Sequence, residues 1–226
     1  MNVVYMIKVI VFDFDGVLVD SNNMKKEAFF ELFSGNKRVQ AVANGVLNAF
    51  WQKTRYEALR EIFHKLGEGT SRTAQLVATY NERYNDIVID KIKSMGLIGD
   101  VYQTLDALSG KYALYINSAT PTDALLRTVN ALGIENFFKG IYGVSGFASI
   151  LDTKKLNLEK IMKGEEVNGN EILFVGDGEA DLAAAKAYGC EFIGIAHSGN
   201  SWAERRDIKT IPSVAELPRI LENSRP

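Results

Sequence analysis

Val9-Ile10-Val11-Phe12-Asp13-Phe14-Asp15-Gly16-Val17 decides how this chain is read. Four apolar residues, three of them β-branched, suit a strand buried on both faces. Two aspartates, two residues apart, close it. In an extended segment such residues project to the same side, so the two carboxylates face one another's field. Each then bears a desolvation cost and a like-charge repulsion. A divalent cation offsets both, because it takes oxygen ligands and supplies the missing charge. Gly16 permits a tight turn or the close approach of a ligand. Strand ends in open parallel sheets are also where ligands bind. Without any function, the same stretch reads as a strand leading into a loop with two solvated acids.

The chain downstream of about residue 95 alternates short apolar runs with helical stretches. Ala113–Ile116, Gly140–Val144, Ile172–Val175 and Phe192–Ile195 read as strands, joining a first strand over Ile7–Phe12. Pro121–Leu132, Lys154–Met162, Asp181–Tyr188 and Ser213–Leu221 read as helices, with Pro121 suited to a first turn and Gly189 to a C-cap. Continuous apolar strands alternating with helices predict an α/β fold, a Rossmann-like parallel sheet flanked by helices.

Residues 21–92 break that alternation. Met24, Ala28, Leu32 and Phe33 share a helical face, as do Tyr56, Leu59, Phe63 and Leu66, and Val77, Tyr80, Tyr84 and Val88. All four prolines (121, 212, 218, 226) lie outside this segment. The expected division is a core of residues 1–20 and 93–226, with an all-helical unit of 21–92 inserted after the first strand.

Composition bounds the function. The 226 residues are 46% hydrophobic and 24% charged, values of an ordinary globular protein. Lys and Arg number 26 against 28 Asp and Glu, for a net charge of −2. No basic excess marks a nucleic-acid binder. The one cysteine, Cys190, cannot form an internal disulfide, which fits a reducing compartment. No stretch offers the roughly 20 apolar residues of a membrane span. The N-terminal apolar run is interrupted by Lys8 and lacks a small-residue cleavage site. The expectation is a cytoplasmic enzyme without nucleic-acid or membrane partners; the oligomeric state is left open.

Three further motifs follow apolar strands or open helices. Val175-Gly176-Asp177-Gly178-Glu179-Ala180-Asp181 places two carboxylates four residues apart at a strand-to-helix junction. As capping alone, aspartate suits a helix start. Beside Asp13 and Asp15, these acids would converge on one edge of the sheet, as magnesium requires. Asn117-Ser118-Ala119-Thr120-Pro121 offers a hydroxyl and backbone N–H groups ahead of a helix, an anion-binding arrangement with Asn117 and Ala119 flanking Ser118. Lys154-Lys155 opens a helix, where a lysine facing the carboxylate edge would offset its charge. Gly176-x-Gly178 is no full dinucleotide fingerprint, and His64, His197 and Cys190 show no ligand spacing and are assigned no chemistry.

The four motifs, in this order and across nearly the whole chain, resemble the haloacid dehalogenase superfamily of phosphohydrolases. The branch with a helical cap after the first strand includes phosphoglycolate phosphatases and β-phosphoglucomutases. The resemblance implies that Asp13 is the nucleophile and Asp15 the general acid and base. It implies that Ser118 binds the phosphoryl group and that a lysine steadies nucleophile and phosphate. Magnesium would be held by Asp13, the backbone carbonyl of Asp15, Asp177 and Asp181. Many members carry Lys-Pro at the lysine motif, where this chain has Thr153-Lys154-Lys155-Leu156. Lys154 is favoured, since Leu158 and Ile161 continue its face at +4 and +7; Lys155 stays open. Thr54-Arg55-Tyr56-Glu57 is similar to a specificity loop of capped members, making Arg55 a candidate for holding the non-reacting end of the substrate, with Lys53 beside it. The cap would close over the site on linkers near Asp20–Asn23 and Ser94–Gly99.

The implied reaction is hydrolysis of a small phosphorylated metabolite through an aspartyl-phosphate, with Mg2+ as cofactor. A phosphomutase would use the same core, and a phospho-ligand or signalling module the same acids. A receiver domain is near 120 residues and lacks a helical insert. A dehalogenase gives Asp15 and a metal no task.

Overall fold

The computed structural model describes residues 6–47, 55–144 and 149–223. The chain forms two compact units, residues 1–20 with 95–226, and residues 21–94. The second division falls two residues beyond the expected boundary at 92.

Among the described residues of the first unit, six parallel strands form one sheet. They are β1 (Val9–Phe12), β2 (Ala113–Pro121), β3 (Gly140–Val144), β4 (Ile172–Gly176), β5 (Glu191–Ile195) and β6 (Lys209–Ile211). Their order is β3-β2-β1-β4-β5-β6. The chain runs outward one way from β1 and the other way from β4, which puts the switch of strand order between those two strands. This is the Rossmann-like α/β architecture that the apolar runs predict.

β1 is buried on both faces because both carry apolar partners. Val9 and Val11 enter a cluster with Phe174 of β4 and with Leu158, Ile161, Ala184 and Ala185. The last four belong to α7 (Ile150–Glu165) and α8 (Glu179–Tyr188), numbered in chain order with the helices below. Ile10 and Phe12 alternate to the opposite face and are equally buried. Each such side chain contributes about 1.5–3 kcal/mol on burial. α8 ends where expected, at Gly189, whose φ of 68° suits a residue without a Cβ.

Several elements differ from the sequence reading: a helix over Val101–Ser109 carries no expectation, α7 starts at Ile150 so that Lys154 lies in its second turn rather than opening it, and the last helix spans Leu217–Asn223 rather than Ser213–Leu221. β2 runs on to Pro121, and the next helix, α6, spans Thr122–Ala131. The third motif thus lies on strand backbone, with a register irregularity against β3 between Asn117 and Pro121. β6 has only three residues, too few for any period to register.

The second unit contains α1 (Asn22–Leu32), α2 (Lys37–Leu47), α3 (Arg55–Lys65) and nearly all of α4 (Thr70–Met95). Met24, Ala28, Phe29, Leu32, Leu59, Ile62, Phe63, Tyr84 and Val88 are buried. Phe33 and Phe63 pack on Tyr80 with ring centroids 5.3 and 5.0 Å apart. α5 (Val101–Ser109) and α9 (Leu217–Asn223) belong to the first unit and pack on each other. Among the described residues no helix is long and apolar enough to cross a membrane.

Candidate active site

Strand register assembles the site. Phe12 of β1 lies opposite Ile116 of β2 and Val175 of β4. Asp13, Asn117 and Gly176 are the next residues on these three strands, and Asp177 is one further. The Asp13 N–H donates to Val175 O at 2.8 Å, carrying the ladder one residue past β1. Acids more than 160 residues apart in sequence therefore meet on one sheet edge.

After Asp13 the backbone turns back on itself. Gly16 takes a φ of 76°, in the left-handed region where a Cβ is penalised. Its N–H donates to Val19 O and that of Leu18 to Phe14 O, at 2.8 and 2.9 Å. Phe14 is fully buried while Asp15 is half-buried. The Thr120 hydroxyl donates to Asp15 Oδ2 at 2.8 Å. The candidate acid and base is thus held by a residue of the third motif's strand.

Lys154 is the central cation. Its side chain is 2% exposed, and Nζ lies 3.0 Å from Asp13 Oδ2 and in contact with Asp181 Oδ1. It also donates to Asn117 O at 3.2 Å. Lys155 is half-buried, and Leu156 is 53% exposed. Leu158 and Ile161 share the buried face of α7 with Lys154. Desolvation pushes the Lys154 amine down, but Asp13 and Asp181 outweigh it and hold the group above its ordinary value.

Asp181 sits in the first turn of α8, where its Oδ2 accepts from the Gly178 N–H at 3.1 Å. Its carboxyl packs so closely on Gly176 that a Cβ there would fall 2.5 Å from Asp181 Cβ. Any larger residue would push the acid off the sheet edge.

Asp13, Asp177 and Asp181 each offer a ligand atom within 4.8 Å of the others. Burial, then the Asp181 charge, raise Asp13 to about 7, against the lowering pull of Lys154. Burial and the Asp13 charge raise Asp177 as well. One ammonium does not balance these acids, and the donor set is hard carboxylate oxygen. Both facts fit a magnesium ion. The Asp15 carboxylate is not in this group.

The third motif divides between chemistry and support. Ser118 is fully buried, and its Oγ accepts from the Thr120 N–H at 3.0 Å. Ala119 is half-buried. The Asn117 amide instead faces α7: it donates to Lys154 O at 2.9 Å and accepts from Asn157 Nδ2 at 3.2 Å. Asn117 and Lys154 therefore hold each other, and Asn117 reaches the site through the lysine.

Arg55 belongs to the helical unit and is 9% exposed. Its Nη1 donates to Asn81 Oδ1 at 3.1 Å and to Asn85 Oδ1, and its guanidinium lies 4.4 Å from the Tyr84 ring centroid. These contacts are internal to that unit. Lys53 and Thr54 lie outside the described residues.

Sequence reasoning passed over three groups. Thr120 and Asn157 touch the site through Asp15 and Asn117. His197, which was assigned no chemistry, stands with Nε2 2.8 Å from Asp177 Oδ2. No local spacing signals a pair 20 residues apart on adjacent strand ends.

Residues 10–195 match the family described as haloacid dehalogenase-like hydrolase. A phosphoglycolate phosphatase from Yersinia pestis is 27% identical over 198 residues, 86% of this chain and 83% of that one. The crystal structure of a β-phosphoglucomutase from Clostridium difficile superposes with a TM-score of 0.68 at 20% identity, covering 97% of each chain. A 2-haloacid dehalogenase from Pseudomonas syringae gives 0.65 at 19%, covering 96% and 99%. Likeness at that identity shows the shared fold, which hosts all three chemistries.

Proposed function

Since the chain belongs to the haloacid dehalogenase-like hydrolase family, we propose that it is a magnesium-dependent phosphatase acting on a small phosphate monoester through an aspartyl-phosphate. The observation that supports this most is the meeting of Asp13, Asp177, Asp181 and Lys154 at one sheet edge. A carboxylate nucleophile and a phosphate dianion repel each other, so such a site must bring positive charge to both. Lys154 supplies one charge. Magnesium, held by Asp13, Asp177, Asp181 and the backbone carbonyl of Asp15, would supply the rest to the phosphoryl oxygens.

The chain's own residues would act in two steps. An Asp13 oxygen attacks phosphorus as the ester P–O bond breaks, and Asp15 gives its proton to the departing alkoxide. Asp15, now a carboxylate, takes a proton from water. The resulting hydroxide oxygen attacks the same phosphorus, which frees the Asp13 carboxylate and releases inorganic phosphate. Ser118 and the N–H groups around Ala119 orient the phosphoryl oxygens, and Thr120 keeps Asp15 in place. Positioned proton transfer contributes about 10²–10⁴-fold.

The core reads only phosphate, so choice of leaving group falls to the helical unit, which we propose acts as the cap. The similarity to phosphoglycolate phosphatases makes phosphoglycolate the first substrate to try. The lone thiol of Cys190 suits a cytoplasmic enzyme.

A panel of small phosphate monoesters, assayed for released phosphate in EDTA and after magnesium is restored, tests the reading. Turnover of at least one ester, abolished by EDTA and recovered with magnesium, is expected. Full turnover in EDTA would overturn the metal's role. Phosphate moved to another substrate hydroxyl, without release, would mark a mutase.

A further inference from the structure

The chain after β5 returns to the site by a route that none of the four motifs covers. Asn200 anchors it: Nδ2 donates to Asp177 O at 3.3 Å and to Ile195 O at 3.2 Å. Its Oδ1 accepts from the His197 and Trp202 N–H groups at 3.3 and 3.2 Å. Trp202 is buried against Phe192 and covers Gly194, where a Cβ would come within 2.6 Å of the indole. The loop is thus fixed at both ends of the 197–202 segment.

This loop aims one side chain at the acids. The Gly199 N–H donates to His197 Nδ1 at 3.0 Å, so Nδ1 is an acceptor and carries no proton. The ring proton is therefore on Nε2, 2.8 Å from Asp177 Oδ2, and His197 is the donor of that bond. Asp177 is held twice, by His197 at its carboxylate and by Asn200 at its carbonyl. Groups that donate to a metal-binding residue fix its orientation, and their loss typically costs 10–100-fold in metal affinity.

We propose that His197 is a positioning residue of the metal centre, its Nε2–H holding the Asp177 carboxylate in the orientation that binds a divalent cation. The proposal rests on the metal site of the proposed function. It gives the loop after β5 a part in that site.

The test uses the full chain stripped of metal. Magnesium binding is measured by calorimetry, and Mn2+ binding by electron paramagnetic resonance, with the metal alone. His197→Ala is expected to raise the dissociation constant about 10-fold or more. The magnesium concentration for half-activation should rise in step, while kcat at saturating magnesium falls less. His197→Gln, whose side-chain amide keeps an N–H at similar reach, should recover most of the affinity. Unchanged metal affinity in the alanine variant overturns the proposal. So does a glutamine variant as weak as alanine, since the donor would then not be what matters. If His197→Ala lacks a cooperative unfolding transition in EDTA, His197→Leu takes its place with the same readings. A wild-type protein that binds neither metal overturns the metal site itself, a result distinct from failure of the histidine's role.

Discussion

Lys154 Nζ lies 3.0 Å from Asp13 Oδ2, and the same ammonium reaches Asp181 and the carbonyl oxygen of Asn117. One side chain from α7 thus joins the end of β1 and the middle of β2 to the start of α8. Removing the charge strands two buried carboxylates, a loss of about 3–5 kcal/mol where a buried pair is broken. Lys154→Met keeps the stem and should lower kcat/KM by at least about 10²-fold, since each 1.36 kcal/mol is tenfold. Lys155→Met should stay within about 3-fold of wild type, because Lys155 is half-buried beside the exposed Leu156. Steady-state kinetics of the two variants, side by side, separates them. Equal losses would move the role away from Lys154.

Asp13→Asn should form no phosphoenzyme. Asp15→Asn should turn over poorly yet accumulate phosphoenzyme slowly from a substrate with an activated leaving group, which needs no proton. Acid quenching followed by intact mass spectrometry reads the added phosphoryl group. Thr120→Val removes the hydroxyl that donates to Asp15 at 2.8 Å. A net hydrogen bond of about 0.5–1.5 kcal/mol predicts a roughly 2–10-fold fall in kcat. Near-wild-type rates in both aspartate variants would defeat the two-carboxylate mechanism.

Glu165 closes α7 against the sheet: it accepts from the Tyr115 hydroxyl and pairs with Lys139 at 3.0 Å. The Tyr115 hydrogen bond, more than the burial that opposes it, holds the Glu165 carboxyl below its ordinary value. A group depressed in the folded state stabilises the protein above its unfolded pKa, and that share is lost as pH falls through the folded value. Glu165→Gln should therefore lower the urea midpoint at pH 7, by an amount equivalent to about 0.5–1.5 kcal/mol. The gap between variant and wild type should narrow steadily below pH 4.5, the ordinary value of the group. A gap that widens in acid would contradict the assignment.

Arg55 is engaged by Asn81, Asn85 and the face of Tyr84. Arg55→Ala leaves two buried amides short of a donor and should cost about 1–3 kcal/mol in denaturant unfolding. Arg55→Lys should recover little, since an ammonium cannot reproduce the planar fork. Kinetically, a guanidinium committed to these partners predicts similar proportional losses on the preferred substrate and on p-nitrophenyl phosphate. A loss confined to the preferred substrate would support the substrate-reading role expected from the Thr54–Glu57 stretch.

Much of the core was readable in one dimension because its signals are local. Val9–Phe12 and Ile172–Val175 are apolar without interruption, as strands covered on both faces must be. Gly189 marks the end of α8 because a left-handed residue is needed there. Lys154 is singled out from Lys155 by a helical period shared with Leu158 and Ile161. β6 and the extension of β2 to Pro121 carried no such signal, since pairing with β5 and β3 forms them.

By itself, then, the sequence determined the sheet's buried strands, the helical insert and the acids that follow strand ends. These depend on burial and on backbone preference within a few residues. Tertiary structure alone decided which of those groups touch. Strand register brings Asp13 to Asp181 and Lys154, and a loop beyond β5 turns His197 toward Asp177. Contacts between residues 20 to 168 positions apart are set by parallel pairing and the crossovers between strands, and no spacing along the chain encodes either.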